Sequence, residues 1–297
     1  GGGVGEDEDE GEGEGRSGAR WCDCVIEAVP VSYKDGEPAA TILGAALRHG
    51  MHAISANKGP VVHHYERLKE LAAAQPGHLQ YFHESAVMDG VPIFSWWRSC
   101  MPGAELKSFR GCLNSTTNVI LCRMEEGLTF KEALSEAQRM GIAEADPSGD
   151  IDGFDASVKV AALVRALSGS EVGLEHVETQ GIRSITSHDI AAAKARGQRY
   201  KLVCSARFFS DGSPPQCSVK PELCDNSDPL FGLVGASSAI TFRTSALAPV
   251  TITSTDPTVM DTAYGCYSDL VRALRLQGQA RLELETNAAG NGGLSSN

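Results

Sequence analysis

The feature that most narrows the folds open to this chain is an alternation of short apolar runs and helix-like segments between residues 24 and 82. Cys24-Val25-Ile26 reads as a buried strand, Ala39 to His49 as a helix closed by Gly50, and His52-Ala53-Ile54-Ser55 as a second strand. Tyr65 to Ala74 reads as a helix stopped at Pro76-Gly77, and Leu79-Gln80-Tyr81-Phe82 as a third strand. A β-α-β-α-β order calls for a parallel sheet with crossover helices, because parallel neighbours cannot be joined by a tight turn. This supplies half of a doubly wound α/β domain.

After Pro92 the pattern changes. Leu113 to Met124 reads as a helix, and Thr129-x-x-Glu132 is a capping box opening a helix that runs to Met140 and stops at Gly141. Asp155 to Leu167 is a strongly apolar helix with Gly169 at its exit, and Ser187 or Asp189 opens a short one ended by Gly197. Lys201 to Phe209, Ala239 to Arg243 and Pro249 to Thr253 read as strands, and Thr262 to Leu276 as a last amphipathic helix. The tail from Asn287 is Gly, Asn and Ser and is expected to fray.

Composition excludes some partners. The 297 residues carry a net charge of −12, but much of it lies in the run Glu6 to Glu14, where Asp and Glu mix with Gly. Residues 1 to 20 cannot bury apolar surface and are expected to be disordered, with order beginning near Trp21. The remainder is mildly acidic, which argues against nucleic acid as a partner. No apolar run approaches the length of a membrane span, and the N-terminus carries neither a secretory pattern nor the basic character of a transit peptide. Nine scattered cysteines without a Cys-x-x-Cys pair read as reduced thiols; Cys22 and Cys24 stand too close for a structural zinc site.

Chemistry concentrates between Gly141 and Lys159. Glu144, Asp146, Asp150, Asp152 and Asp155 fall within a loop punctuated by Gly and Pro that feeds a helix. Asp155 and Lys159 are four apart, hence on one helical face, and Lys159 interrupts the apolar run Val158 to Leu163. A solvated acidic loop with a surface ion pair is the plainer account; the spacing of a calcium loop is absent. A second signal is Ile54-Ser-Ala-Asn-Lys-Gly-Pro60, which places Lys58 just past the carboxyl end of a strand, where open parallel sheets bind ligands.

Several segments, in this order and spacing, resemble homoserine dehydrogenases: Ala56-Asn-Lys-Gly-Pro60, Glu84-Ser-Ala-Val-Met-Asp-Gly-Val-Pro92, Gly111-Cys-Leu-Asn-Ser-Thr-Thr-Asn-Val-Ile-Leu121, Ala137-Gln138, and Ala143-Glu-Ala-Asp-Pro147 through Lys159. Thr262-Ala-Tyr-Gly265 with Asp269 fits too, so the resemblance covers roughly residues 21 to 278. It implies a partial Rossmann-like doubly wound parallel sheet plus an α+β catalytic and dimerisation domain with a mixed sheet. The implied division is an acidic segment 1–20, a partial nucleotide-binding domain 21–90, a catalytic and dimerisation domain 91–258, a returning helix 259–278 and a tail 279–297.

By the same resemblance, Lys159 is the acid/base lysine and Lys58 a second lysine at the reacting centre. Glu144, Asp150, Asp155, Thr116 and Ser115 would bind substrate, with Thr116 giving its hydroxyl to the substrate carboxylate. Val29, Lys58, Gly141 and Glu144 would meet the nicotinamide end of NAD or NADP. Glu84, Val87, Asp89 and Val91 align with a monovalent cation (sodium) site built largely from backbone carbonyls. The implied reaction interconverts homoserine and aspartate semialdehyde in a homodimer, in the cytoplasm or, in a photosynthetic eukaryote, the plastid stroma. An alcohol dehydrogenation needs a group to take the hydroxyl proton, and a lysine near pKa ~10.4 is a poor base. Burial and a facing second lysine are expected to depress it, partly offset by Asp155.

The sequence departs from the family at its start. No G-x-G-x-x-G lies between a strand and a helix, so the pyrophosphate and ribose contacts are unassigned and the choice of NAD or NADP stays open. The chain therefore reads as an N-terminally incomplete enzyme of the monofunctional type, with weak cofactor affinity expected. A catalytically silent dimerising fragment is the alternative, and saturable NADPH binding would separate the two.

Overall fold

In this computed structural model, residues 23–75 and 79–291 are described, the side chains only to residue 279. The acidic segment, the boundary at Trp21, Cys22, the stop at Pro76-Gly77 and the last residues of the tail lie outside the described residues. The first sheet is parallel, in the order β1 (Cys24–Glu27), β2 (His52–Ser55), β3 (Tyr81–Phe82), with Cys24 opposite His52 and Ala53 opposite Tyr81. The crossovers are α1 (Ala39–Arg48) and α2 (Lys58–Ala73). β1 is not buried as its apolar sequence suggested. It is an edge strand here, and Ile26 is 46% exposed.

Helix α2 begins seven residues before its expected start, so Lys58 opens a helix instead of sitting in a loop. Asn57 caps it, its side chain accepting the Gly59 amide at 3.0 Å, and Pro60 falls in the first turn, where a missing N–H costs nothing.

The second sheet has six strands in the order β5-β7-β6-β4-β8-β9: β4 (Leu106–Cys112), β5 (Val177–Thr179), β6 (Arg199–Arg207), β7 (Gln216–Cys224), β8 (Ser238–Thr244) and β9 (Val250–Ser254). Only β5 and β7 pair in parallel, so the sheet is mixed. Three of these strands escaped the sequence reading. In β4 a register shift between Leu106 and Ser108 breaks the period-two pattern. β7 contains Pro221, which argues against a central strand, but β5 reaches only as far as Val219 and leaves that stretch at an edge. β5 is three residues long.

The helices of this half are α3 (Ile93–Cys100), α4 (Ser115–Glu125), α5 (Phe130–Arg139), the one-turn α6 (Ser148–Ile151), α7 (Phe154–Ser168) and α8 (Ser187–Ala195). α3 was not anticipated; within it Trp96 packs its ring 5.1 Å from that of Phe242. The expected capping box at Thr129/Glu132 is formed, and α8 is opened by a second one, Thr186/Asp189, that the sequence reading did not name. α7 is wedged between α2 and the second sheet, so Val160, Ala162, Leu163 and Val164 are fully buried on several sides. Each such Val or Leu contributes about 1.5–3 kcal/mol. The last helix, α9 (Val259–Asn291), starts earlier and runs further than expected; its Cys266 and Ala273 pack on Ile54 and Phe82 of the first sheet. The eight described cysteines form no disulfide among themselves, and no helix among the described residues is long and apolar enough to cross a membrane.

Candidate active site

The starts of α2 and α7 bring the charged residues together. α7 enters through Gly153 at φ 85°, where a Cβ would press on Thr179 and Val219 at 3.2 and 3.3 Å, so the sharp turn into the helix needs glycine. The next turn carries Asp155 and Lys159 on one face, 3.1 Å apart. The other oxygen of Asp155 meets Lys58 at 3.1 Å. Lys58 arrives from the carboxyl end of β2, more than ninety residues away in sequence. Both amines therefore converge on a single carboxylate.

Lys159 also donates to the Leu113 carbonyl at 2.6 Å. The neighbouring Asn114 donates from its side-chain amide to Asp150 at 2.6 Å and to Asp155 at 3.1 Å. Tyr33, from the loop after β1, donates its hydroxyl to Asp155 at 3.4 Å, and its ring lies 5.8 Å from the Lys58 ammonium. Sequence reasoning missed Tyr33 and Asn114 as members of this cluster. Neither has a local pattern that marks it, although Asn114 lies within the Gly111–Leu121 motif.

The loop bearing Tyr33 is locked to α2. Gly36 and Gly59 touch backbone to backbone, at distances that leave no room for a Cβ on either. His63 and His64 direct ring nitrogens to the Tyr33 and Asp35 carbonyls at 3.0 and 2.8 Å. Tyr33 and Lys58 are thus held as one rigid piece.

The electrostatics overturn one expectation. Burial tends to raise the Asp155 carboxyl, but Lys159 and then Lys58 outweigh it and hold it well below the usual carboxylate range. Burial likewise tends to lower Lys159, yet the Asp155 charge and hydrogen bond outweigh it, and Lys159 is raised. The expected depression of the lysine by its facing twin does not occur, because a carboxylate stands between the two cations at contact distance. Tyr33 is raised beyond its ordinary range by burial first and then by Asp155, with smaller contributions from Asp150 and Glu144.

A family model described as homoserine dehydrogenase matches residues 92–271. The NAD(+)-dependent homoserine dehydrogenase of Pseudomonas canavaninivorans is 35% identical over 249 residues, covering 84% of this chain and 70% of that protein. The homoserine dehydrogenase of Methanocaldococcus jannaschii is 34% identical over 250 residues, 84% and 72% of the two chains. The chain belongs to the homoserine dehydrogenase family. Solved structures agree: a homoserine dehydrogenase from Thiobacillus denitrificans superposes with a TM-score of 0.78 at 30% identity, covering 86% of this chain and 58% of that one. A hyperthermophilic archaeal homoserine dehydrogenase mutant in complex with NADPH gives 0.70 at 31% identity, covering 85% and 71%. The family consists of oxidoreductases.

The remaining residues expected from the resemblance to homoserine dehydrogenases are placed as follows. Thr116 donates its hydroxyl to the Ile142 carbonyl at 3.1 Å, and Ser115 donates to the Ala236 carbonyl at 2.8 Å. A hydroxyl has one proton, so in this arrangement both offer lone pairs to a ligand. Glu144 is exposed, and Gln138 holds its carbonyl at 3.0 Å. Gly141 takes φ 72° at the exit of α5. Val29 follows β1, its amide on Glu27 at 2.8 Å and its carbonyl accepting from Asn57 at 3.3 Å. Asp146 and Asp152 turn away, to the Ser148 amide and to Arg183.

At the carboxyl ends of β1 and β2, where a nicotinamide was expected, Lys58 meets Asp155 and the preceding Asn57 holds the Val29 carbonyl. No glycine-rich strand-to-helix turn suited to a pyrophosphate occurs among the described residues. For a monovalent cation, the Glu84 side chain fits poorly. Its carboxylate accepts the Phe94 amide at 2.8 Å and the Ser95 amide at 2.9 Å, and meets Arg272 at 2.8 Å. It caps α3 and is neutralised by Arg272, which it shares with the neighbouring Asp269. Met88 and Asp89 hold φ values of 59° and 57°, the Asp89 carboxylate accepts from Thr262, and the Val91 carbonyl accepts the Ile93 amide at 2.8 Å. Among the described residues, no group of three or more His, Cys, Asp or Glu side chains is disposed to hold a metal.

Proposed function

We propose that the chain interconverts L-homoserine and L-aspartate 4-semialdehyde with NAD or NADP, in the aspartate-derived route to threonine, methionine and isoleucine. The observation that carries this reading is the convergence of Lys58 and Lys159 on Asp155 at 3.1 Å each. A bound nicotinamide supplies the hydride acceptor or donor. In alcohol oxidation, neutral Lys159 takes the hydroxyl proton at its Nζ. In aldehyde reduction, the Lys159 ammonium polarises the carbonyl oxygen and returns the proton.

Asp155, Asp150 and Glu144 are suited to the substrate ammonium, and Lys58 to its carboxylate. Thr116 and Ser115 join that carboxylate only by giving up their bonds to Ile142 and Ala236. Val29, Gly141 and Glu144 border the nicotinamide. The three-stranded sheet serves as the nucleotide-binding portion (21–90), the segment 91–258 as the catalytic and dimerising portion, and the helix after 259 as its return. A sodium ion near Val87, Asp89 and Val91 would depend on carbonyls, not on the Glu84 carboxylate.

The reading includes a homodimer through the mixed sheet, whose second face is polar. Arg110, Ser205, Ser218 and Thr241 alternate with core residues, and Ser205–Ser218 and Thr241–Thr251 pair hydroxyls at 2.9 Å. Light scattering after gel filtration checks the mass.

The function is tested by NADPH fluorescence titration and by homoserine-dependent reduction of NAD and NADP, with other hydroxy acids as controls. Saturable binding and selective oxidation of homoserine are expected. Turnover of other hydroxy acids with homoserine inert would overturn the reading.

A further inference from the structure

We propose that Asn114 is a positioning residue that sets the separation and orientation of the two substrate-binding carboxylates, Asp150 and Asp155. The inference rests on the assignment of those two acids to the substrate ammonium in the reading above. Asn114 is 3% exposed and stands where β4 becomes α4, in extended backbone (φ −123°, ψ 110°). Its amide nitrogen donates to Asp150 at 2.6 Å and Asp155 at 3.1 Å. Its amide oxygen accepts the Thr117 backbone amide at 2.9 Å and the Thr117 hydroxyl at 3.0 Å. The Thr117 hydroxyl shares its one proton between that oxygen and the Asn114 backbone carbonyl, also at 3.0 Å, but both amide hydrogens and the bond from the Thr117 amide are enough to fix the side chain's orientation. Exchanging its oxygen and nitrogen would set an oxygen against two carboxylates and an NH₂ against the Thr117 amide.

The arrangement matters because the acids come from different pieces of chain. Asp150 lies on the one-turn helix α6, Asp155 on α7, and Gly153 at φ 85° forms the turn between them. Asp155 is anchored by two lysines, whereas the hydrogen bond from Asn114 is what ties Asp150 into the cluster. Two carboxylates placed close enough to share one ammonium repel each other, and a hydrogen-bond donor between them offsets that repulsion. The preceding residue contributes to the same junction, since the Leu113 carbonyl holds Lys159 at 2.6 Å. One strand-to-helix corner thus orients the acid/base lysine and the ammonium-binding pair together. Such preorganisation is worth most in substrate affinity.

A capping role alone would also account for a buried Asn at this position, so the test separates the two. Asn114→Ser keeps a good helix cap for Thr117 but is too short to reach either carboxylate. Asn114→Asp keeps the capping oxygen and sets a third carboxylate against the pair. Hydrogen bonds to charged groups support roughly ten- to hundred-fold in an equilibrium. The expected result for Asn114→Ser is a KM for homoserine raised roughly ten-fold or more, with KM for the nicotinamide cofactor and the thermal midpoint near wild type. Asn114→Asp raises it further, and lowering the pH recovers part of the loss. Wild-type KM for homoserine in a folded Asn114→Ser, or an equal rise in both KM values, would overturn the proposal. Should Asn114→Ser fail to fold, a wild-type KM in Asn114→Asp overturns it as well. Failure of the wild-type protein to oxidise homoserine defeats the underlying reading instead.

Discussion

Lys159 and Asp155, four residues apart on α7, close an ion pair of 3.1 Å that raises the lysine and so leaves still less of it as the neutral amine at neutral pH. The pair therefore favours the charged ammonium. That form suits aldehyde reduction, where a proton must be given. In the proposed mechanism homoserine oxidation uses the neutral amine, so its rate is expected to climb into the alkaline range.

Asp155→Asn removes the charge that raises Lys159 while leaving an acceptor of similar shape. The alkaline limb of homoserine oxidation is then expected to move to lower pH, with a higher KM for homoserine. A pH–rate profile of kcat checks this. An unmoved limb would show that another group titrates there.

Asp269 gives a stability prediction of definite sign. It is 1% exposed; burial pushes its carboxyl up to about 6, the Glu84 amide bond and Arg272 opposing and the Glu84 charge adding to it. The folded state thus holds this proton more tightly than the unfolded chain, whose Asp titrates near ~3.9. Its contribution is fully present below about pH 4 and is lost as pH rises through about 6. The loss amounts to about 3 kcal/mol. Asp155 runs the other way, its contribution present above the normal carboxylate range and lost on acidification. Urea unfolding of Asp269→Asn against wild type between pH 4 and 7 isolates the first effect: the variant should gain relative stability as pH rises.

Glu84→Gln keeps an acceptor for the amides of Phe94 and Ser95 but loses the ion pair with Arg272. Because Arg272 retains Asp269 at 3.1 Å, the expected cost is about 2 kcal/mol, at or below the range for breaking a buried pair. Any dependence of activity on sodium or potassium should survive the change, since neither Glu84 oxygen is free. Loss of that dependence in a folded variant would restore the side chain as a ligand.

Much of the first sheet was legible in the sequence, because its strands are short apolar runs separated by helices with glycine or capping signals at their ends. The same held for α5, where capping box and period 3.6 agree, and for α7 and α8, marked by an apolar run with Gly169 at its exit and by Gly197 at the end. The second sheet was half hidden: the bulge in β4, the Pro in β7 and the brevity of β5 each remove the alternation that marks a strand. Lys58, Lys159, Asp155 and Asp150 were nameable from motifs. The way they share charge was not, since it depends on a carboxylate lying between two amines brought together by the crossing of α2 and α7. Tyr33 reaches Asp155 across 122 positions, and no local pattern records that.

The central claim is that Lys159 moves the substrate proton at the carboxylate it shares with Lys58. The most direct measurement is kcat for homoserine oxidation by Lys159→Ala, with circular dichroism and NADPH titration as checks on folding and cofactor binding. A fall of at least ~100-fold with both checks near wild type is the predicted result. Near-normal turnover would contradict it.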